Sequence, residues 1–322
     1  LTAVVITVRD DHPCVLTLSA GPSGAIALPS GPLQPGHRTL QAGLRSWVEA
    51  QTRRSLGYVE QLYTFGDRSG GDRSGGDRPD IPVNEASQDA SRRISIAYLA
   101  LVRTEEAHQP TPGRWRRWYD LLPWEDRRHG EPPPQRMLSE RLQDWARETQ
   151  RPADPDDWER LGLTFGLHGA PWDDERALER YELMYEAALV PEAWLDRGLQ
   201  PPPQVVALPG TPMFADHRRI VATAVSRLRA KIKYRPVLFE LMPARFTLLQ
   251  LQRTAEALSG VPLHKQNFRR LVAQQGLVEE TGELATATGG RPARLMRFRK
   301  QVTVERPAPG IRLRATRRGG YP

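Results

Sequence analysis

The chain has 322 residues, more than one average domain, and its 39% hydrophobic content is enough for real cores and excludes global disorder. Its single cysteine, Cys14, excludes an internal disulfide framework, and with no Cys/His cluster at ligand spacing a structural zinc is not expected, which suits a reducing cytoplasm. The net charge of +8 hides an asymmetry: from Thr211 onward 22 Lys and Arg face 7 Asp and Glu, leaving 24 against 31 in residues 1–210. A basic final third on an acidic body points to a polyanion-binding module attached to a differently tasked domain.

In chain order, Ala3 to Val8 and Cys14 to Leu18 read as a hairpin, with Asp10, Asp11, His12 and Pro13 as turn chemistry. The opening LTAVVITVRDD is expected to be a strand and not a leader. No stretch approaches 18 consecutive apolar residues, so no membrane span is expected.

Leu28 to Thr52, LPSGPLQPGHRTLQAGLRSWVEAQT, follows the outline of a Nudix box, the loop-helix-loop that holds Mg²⁺ against a diphosphate. Gly31 falls at the opening glycine, Arg45 at the arginine, Trp47 at the apolar position and Glu49 at one glutamate. The other glutamate positions read His37, Ser46 and Ala50, and Thr52 replaces the closing glycine. A hard cation needs a cluster of carboxylates, and one glutamate supplies too little charge. The expectation is a retained pocket without hydrolysis, with no catalytic residue, no metal site and no required cofactor.

GYVEQLYTFGD reads as a strand, and the GDR repeat at 66, 71 and 76 as a low-complexity loop. Arg93 to Val102, with its apolar run, is expected to be a central buried strand. Residues 108 to 195 form a Trp-rich accessory section, opening with RWRRWYDLLPWEDRR and closing with a helix whose Leu178, Tyr181, Met184, Tyr185, Ala188 and Leu189 share one face. Its reading stays open between a packed layer and a dimer face or lid. Trp118 and Trp124, beside Arg116, Arg117, Arg127 and Arg128, have the chemistry to stack on nucleobases but are expected to pack.

A proline-rich hinge, 201–212, precedes three amphipathic helices and a glycine-bearing hairpin, the plan of a winged helix. The first helix spans about 216–233; the second opens at Thr247 with Gln250 completing a capping box and ends at Gly260; the third spans about 263–275. Phe268, Leu271 and Val272 give the third helix its core face. Gln266, Arg269 and Arg270 point the other way, with Lys265 and Asn267 on the flanks. Arg and Lys suit guanine edges and phosphates, and Asn and Gln suit adenine, so this is the candidate recognition helix. A turn at Thr281 and Gly282 and a wing tip at Gly289 and Gly290 are expected, with Arg291 and Arg294 projecting toward a phosphate backbone or minor groove.

LPSGPL, GYVEQLYTFGD and SIAYLALV, together with RLRAKIKYRPVLFELMP, FTLLQLQ, NFRRLVAQQGLVEETGE and GGRPARLMRF, resemble the Nudix-related transcriptional regulators of NAD metabolism, the NrtR-like family, and within it the larger NadQ-type branch. The resemblance implies an α+β chain. A Nudix-like mixed-sheet α/β/α sandwich with a helical accessory section would occupy residues 1–200, and a winged helix-turn-helix residues 213–322. It implies a cytoplasmic homodimer that represses NAD biosynthesis genes by binding an inverted-repeat operator. It also implies that the body senses an NAD-related nucleotide such as ADP-ribose, and it carries effector contact onto Arg45 and Glu49. Two other readings stay open: an active Nudix hydrolase of ADP-ribose or a related nucleoside diphosphate, and a non-enzymatic RNA-binding or scaffolding protein.

Overall fold

A computed structural model describes residues 1–22, 24–65, 94–148, 156–285 and 292–302. The GDR repeat, Arg93, Gly289, Gly290 and Arg291 lie outside the described residues.

The chain opens with β1 (Thr2–Arg9) and β2 (His12–Ala20), an antiparallel hairpin closed by Asp10 and Asp11, both at positive φ. Two left-handed residues match the twist of the flanking strands, and aspartate tolerates that region better than most residues. His12 and Pro13, expected in the turn, pair with Arg9 and Val8 as the start of β2. There follow β3 (Ala25–Ala27), α1 (Leu40–Thr52), β4 (Tyr58–Phe65) and β5 (Ser95–Leu101). The accessory section contributes α2 (Thr104–Ala107), β6 (Arg114–Arg117), α3 (Trp118–Leu121), α4 (Pro133–Glu148), α5 (Asp156–Phe165), α6 (Ala177–Glu186) and α7 (Pro191–Leu195). Then come α8 (Pro203–Val206), α9 (His217–Ile232), α10 (Leu248–Ser259), α11 (Lys265–Gln275), β7 (Val278–Ala285) and β8 (Ala293–Phe298).

Among the described residues, six strands form a mixed sheet in the order β3-β2-β1-β5-β4, with β6 also on β2; β1 and β5 are parallel, so the apolar β5 is central as its composition demands. Alternation along β1 sends Ala3 and Val5 to one face, where they meet Leu44 and Val48 of α1. Val4, Ile6 and Val8 face the other way, into a larger core shared with α9 and the accessory helices. The result is an α/β/α sandwich, and no helix among the described residues is long and apolar enough to cross a membrane.

The helix expected to begin the winged helix is α9, and its packing assigns it to the sandwich. It lies on β1, β4 and α6, and it is buried nearly all round, including Arg218, Thr223, Arg229 and Lys231. The proline-rich segment before it is pinned rather than free: Thr211 N donates to Asp120 O at 2.8 Å, Met213 N to Glu192 at 3.0 Å and Phe214 N to Ile26 O at 2.8 Å. Each bond ties a different part of the body, so rotation about 201–212 would break all three.

The remaining elements form the helix-turn-helix and wing. Phe239 stacks on Phe298 at 4.3 Å, and Phe246 exchanges both backbone hydrogen bonds with Met296, adding a bridge to the β7/β8 hairpin. Thr281 and Gly282 do not make the expected turn. They sit in a bulge inside β7, where Gly282 takes φ +82° and the register shifts between Glu280 and Leu284.

Candidate functional site

Two places in this fold have the geometry of a binding site: the outward face of α11 and a cavity at the start of α9.

The first is built from a well-fixed turn. Thr247 and Gln250 cap α10 reciprocally, at 3.2 and 2.8 Å, and Gly260 ends it in the left-handed region. Between α10 and α11, Glu256 accepts from Leu263 N at 2.9 Å and Gln252 donates to Leu263 O at 3.0 Å, so both backbone groups of the turn residue are held by α10 side chains. Phe268 and Val272 then lock α11 into the core, and Arg299 donates to Gly276 O at its end. This leaves Lys265, Gln266, Asn267, Arg269 and Arg270 all exposed on one short helix. Arg294, on the wing strand, is 71% exposed but makes both hydrogen bonds to Glu280 across the hairpin, at 2.6 and 2.9 Å. That carboxylate partly offsets the charge Arg294 offers to a phosphate.

The box loop and helix form, but their side chains are spent internally. Thr39 caps α1 by accepting from Ala42 N at 3.0 Å. Trp47 donates to Pro32 O at 2.8 Å and lies so close that a β-carbon on Gly31 would fall 2.2 Å from its indole. Gln51 pairs with both backbone groups of Ser30, at 3.1 and 2.8 Å. Arg45 donates to Leu56 O and, at 2.9 Å, to Gly57 O, fastening the loop after the helix. Glu49 is exposed. Among the described residues no three His, Cys, Asp or Glu side chains converge as metal donors.

The cavity holds about 710 Å³ and lies between the box loop (residues 30–33), the start of β5 (94–96) and the N-terminus of α9 (214–217 and Ile220). That is the size of a small-molecule site, and its wall is mainly apolar, as such sites usually are. Neither Arg45 nor Glu49 lines it. His217 does, and sequence reading missed it: a histidine beginning an amphipathic helix carries no motif. Its Nδ1 accepts from Leu28 N at 2.9 Å, and burial lowers its pKa to about 4.

The accessory section serves as the mount between these two places. Glu125, completely buried, receives Arg180 (2.6 and 3.0 Å) and Arg229, which are equally buried. Burial disfavours the Glu125 carboxylate, but the charges and hydrogen bonds of the two arginines outweigh it and hold its pKa below the ordinary value. Carbonyls of Thr164, Asp173, Asp174, Leu258 and Glu125 itself accept from other guanidinium nitrogens of the pair. Leu258 belongs to α10, as does Ala257, whose carbonyl accepts from Tyr119 at 2.7 Å. Gly260 is held by Arg127 N at 2.7 Å and packs so tightly that a β-carbon would fall 2.3 Å from Glu125 O. Trp118 and Trp124 are completely buried, so they offer no stacking surface.

The family described as the NrtR DNA-binding winged helix domain matches residues 238–298. A relative from Acinetobacter baylyi, named an ADPR responsive transcriptional repressor NtrR, is 42% identical over 86 residues, which are 27% of this chain and 34% of the relative; the chain thus aligns to about a third of the curated protein's length. Two crystal structures of Shewanella oneidensis NrtR, one complexed with a 27mer DNA, superpose at TM-score 0.51 over 94% of both chains, at 19% and 20% identity. The chain therefore carries an NrtR-type winged helix, residues 238–298, on a body that shares the fold of NrtR.

Proposed function

We propose that this protein is a DNA-binding transcriptional repressor of NAD metabolism genes whose body responds to an NAD-related nucleotide. The observation that carries the DNA reading is the face of α11: five exposed donor-rich side chains on a helix whose opposite face and both ends are fixed. A rigid helix with that inventory fits the major groove, where Arg and Lys read guanine and Asn and Gln read adenine. The name of the Acinetobacter relative supports ADP-ribose as the effector, and the 710 Å³ cavity is the place for it. Arg45 and Glu49 then act through the box loop rather than on the ligand.

The division into parts follows the packing. Residues 1–236 form the sensing body, with 201–212 as a docked connector, and the winged helix begins near Val237. Two copies would present two α11 helices to an inverted repeat in the cytoplasm, since a symmetric dimer reads a symmetric site. Effector binding regulates only if it favours one arrangement of the winged helix over another. α9 supplies the path: its first turn lines the cavity, and Arg229, about 18 Å along it, bonds α10. Hydrolysis is not part of this function; the box offers Glu49 alone where a metal site needs several carboxylates.

The test is duplex selection from a random pool followed by gel shift at fixed salt. Wild type should enrich an inverted repeat, and R269A/R270A should bind it at least about 100-fold more weakly with unchanged circular dichroism, each lost base contact counting about 1–3 kcal/mol. Equal affinity of the double variant sinks the assignment. Turnover of ADP-ribose with Mg²⁺ or Mn²⁺ would instead establish the hydrolase.

A further inference from the structure

The α1 side of the sheet carries a group of hydrogen-bond donors that neither the box nor the cavity uses. Alternation along β1 turns Thr7 and Arg9 to the same face as Val5. Strand register sets Cys14 beside Thr7, Arg117 beside Cys14 and Trp115 beside Leu16, so these side chains share that face. Arg54, just after α1, reaches into the same corner. Its guanidinium lies 5.7 Å from the centre of the Trp115 ring and donates to Glu106 O at 2.6 Å and to Gln109 O. The cavity takes in Thr2, at the other end of β1; the strand from Thr2 to Arg9 covers about 23 Å, at roughly 3.3 Å per residue.

Thr7 is completely buried and Arg54 is 6% exposed. Thr7 Oγ1, Arg9 Nε, Arg54 Nε and Trp115 Nε1 are all buried, and none makes a hydrogen bond among the described residues. A buried donor is stable only with an acceptor, and four on one face ask for the same one. The carboxylates within electrostatic reach do not serve. Glu106, which acts on Arg54, and Asp10 and Asp120, which act on Cys14, are exposed, and among the described residues none forms an ion pair with Arg9, Arg54 or Arg117. Asp11 pairs with Arg253 and Asp126 with Arg128. Burial raises the Cys14 pKa to about 11 against the charges of Arg9 and Arg117, so the thiol is neutral and supplies no anion. Burial lowers the Arg54 pKa; Glu106 opposes the fall and Arg9 adds to it, so the arginines repel one another.

We propose that Arg9, Arg54 and Arg117 form a further binding site, for a phosphate-type oxyanion, at the end of β1 remote from the cavity. Three guanidinium groups arrive from three different elements, and a tetrahedral oxyanion has acceptor oxygens for each, whereas a carboxylate has two in one plane. The site stands apart from the effector and DNA readings and does not rest on either.

The test titrates the full chain by calorimetry with sodium phosphate, pyrophosphate and acetate at matched ionic strength. Phosphate or pyrophosphate should saturate the wild type, and acetate should not bind. R9Q/R117Q, which alters side chains without ion pairs, should bind at least about tenfold more weakly with the melting temperature retained. R269A/R270A, which removes the basic face of α11, should bind as wild type. Should R9Q/R117Q fail to fold, Arg9→Lys, which keeps the charge and removes Nε–H, should weaken binding about fivefold. ADP-ribose that competes with phosphate and loses affinity in R9Q/R117Q identifies the phosphates of a nucleotide as the ligand; ADP-ribose that binds alongside phosphate, or not at all, identifies the free anion. No saturable binding to wild type, a loss in R269A/R270A instead, or undiminished binding in the folded Arg9 variants overturns the proposal.

Discussion

The two helices that cover the central sheet have similar amphipathic sequences and opposite fates. α1 buries Gly43, Leu44, Val48 and Thr52 and leaves much of its remaining surface to solvent. α9 buries its apolar stripe on the sheet and its polar side as well, because the accessory section and α10 close over it. On α1 the acidic Glu49 is exposed and Arg45 half-buried; on α9 Arg218, Arg229 and Lys231 are buried and paired with carboxylates. The difference shows where the polar chemistry sits: α1 is a strut for the box loop, and α9 joins the cavity to the winged helix.

The comparison is most sharply broken at Glu125. Replacing it with alanine leaves Arg180 and Arg229 buried without their carboxylate, and removing one partner of a buried pair costs about 3–5 kcal/mol. Chemical denaturation should show that loss, whereas a carboxylate removed from α1, Glu49→Ala, should cost almost nothing. Equal effects would mean the two helices are not different in kind.

Gly260→Ala probes the contact between α10 and the body. Its left-handed backbone disfavours a side chain, and the β-carbon meets the Glu125 carbonyl, so a loss of about 3 kcal/mol is expected together with altered DNA affinity. A stability loss without a change in DNA binding would show that docking does not matter for reading DNA.

His217 makes the α9 side pH-sensitive. Its folded pKa of about 4 lies below the ordinary 6.5, so acid protonates the unfolded chain first. Its contribution is fully present above pH 6.5 and is lost as pH falls toward 4, up to about 3 kcal/mol. Urea midpoints of wild type and H217N should stay level above pH 6.5 and separate below it, the wild type falling faster. Parallel curves would remove His217 as the cause.

The smallest effect belongs to α1. Arg45→Ala loses hydrogen bonds to Leu56 O and Gly57 O at a partly exposed site, worth about 1–2 kcal/mol, and should leave nucleotide affinity unchanged. A large affinity loss would return Arg45 to the ligand.

Local chemistry made much of this molecule legible. The alternation of β1, the run of β5, the Thr247/Gln250 cap, the stop at Gly260 and the split of α11 into Phe268 and Val272 against Lys265, Asn267, Arg269 and Arg270 all rest on residues within a few positions of each other. The exposed polar face of α11 was therefore readable as a face. The cavity was not, because its wall joins segments near positions 30, 95 and 217, and the box residues that drew attention, Arg45 and Glu49, point elsewhere.

What the sequence determined by itself is the kind of each element: periodicity, caps and turn residues act over three to five positions and need no partner. What only the tertiary structure decided is ownership. The amphipathic pattern of α9 says that it buries a face, and nothing in it says whether against a sheet or another helix; its burial on β1, with Arg229 reaching a carboxylate 104 positions away, is settled by packing between distant segments. The same holds for His217, whose single committed nitrogen bonds a backbone group 189 positions away and so leaves the other as a donor in the cavity wall.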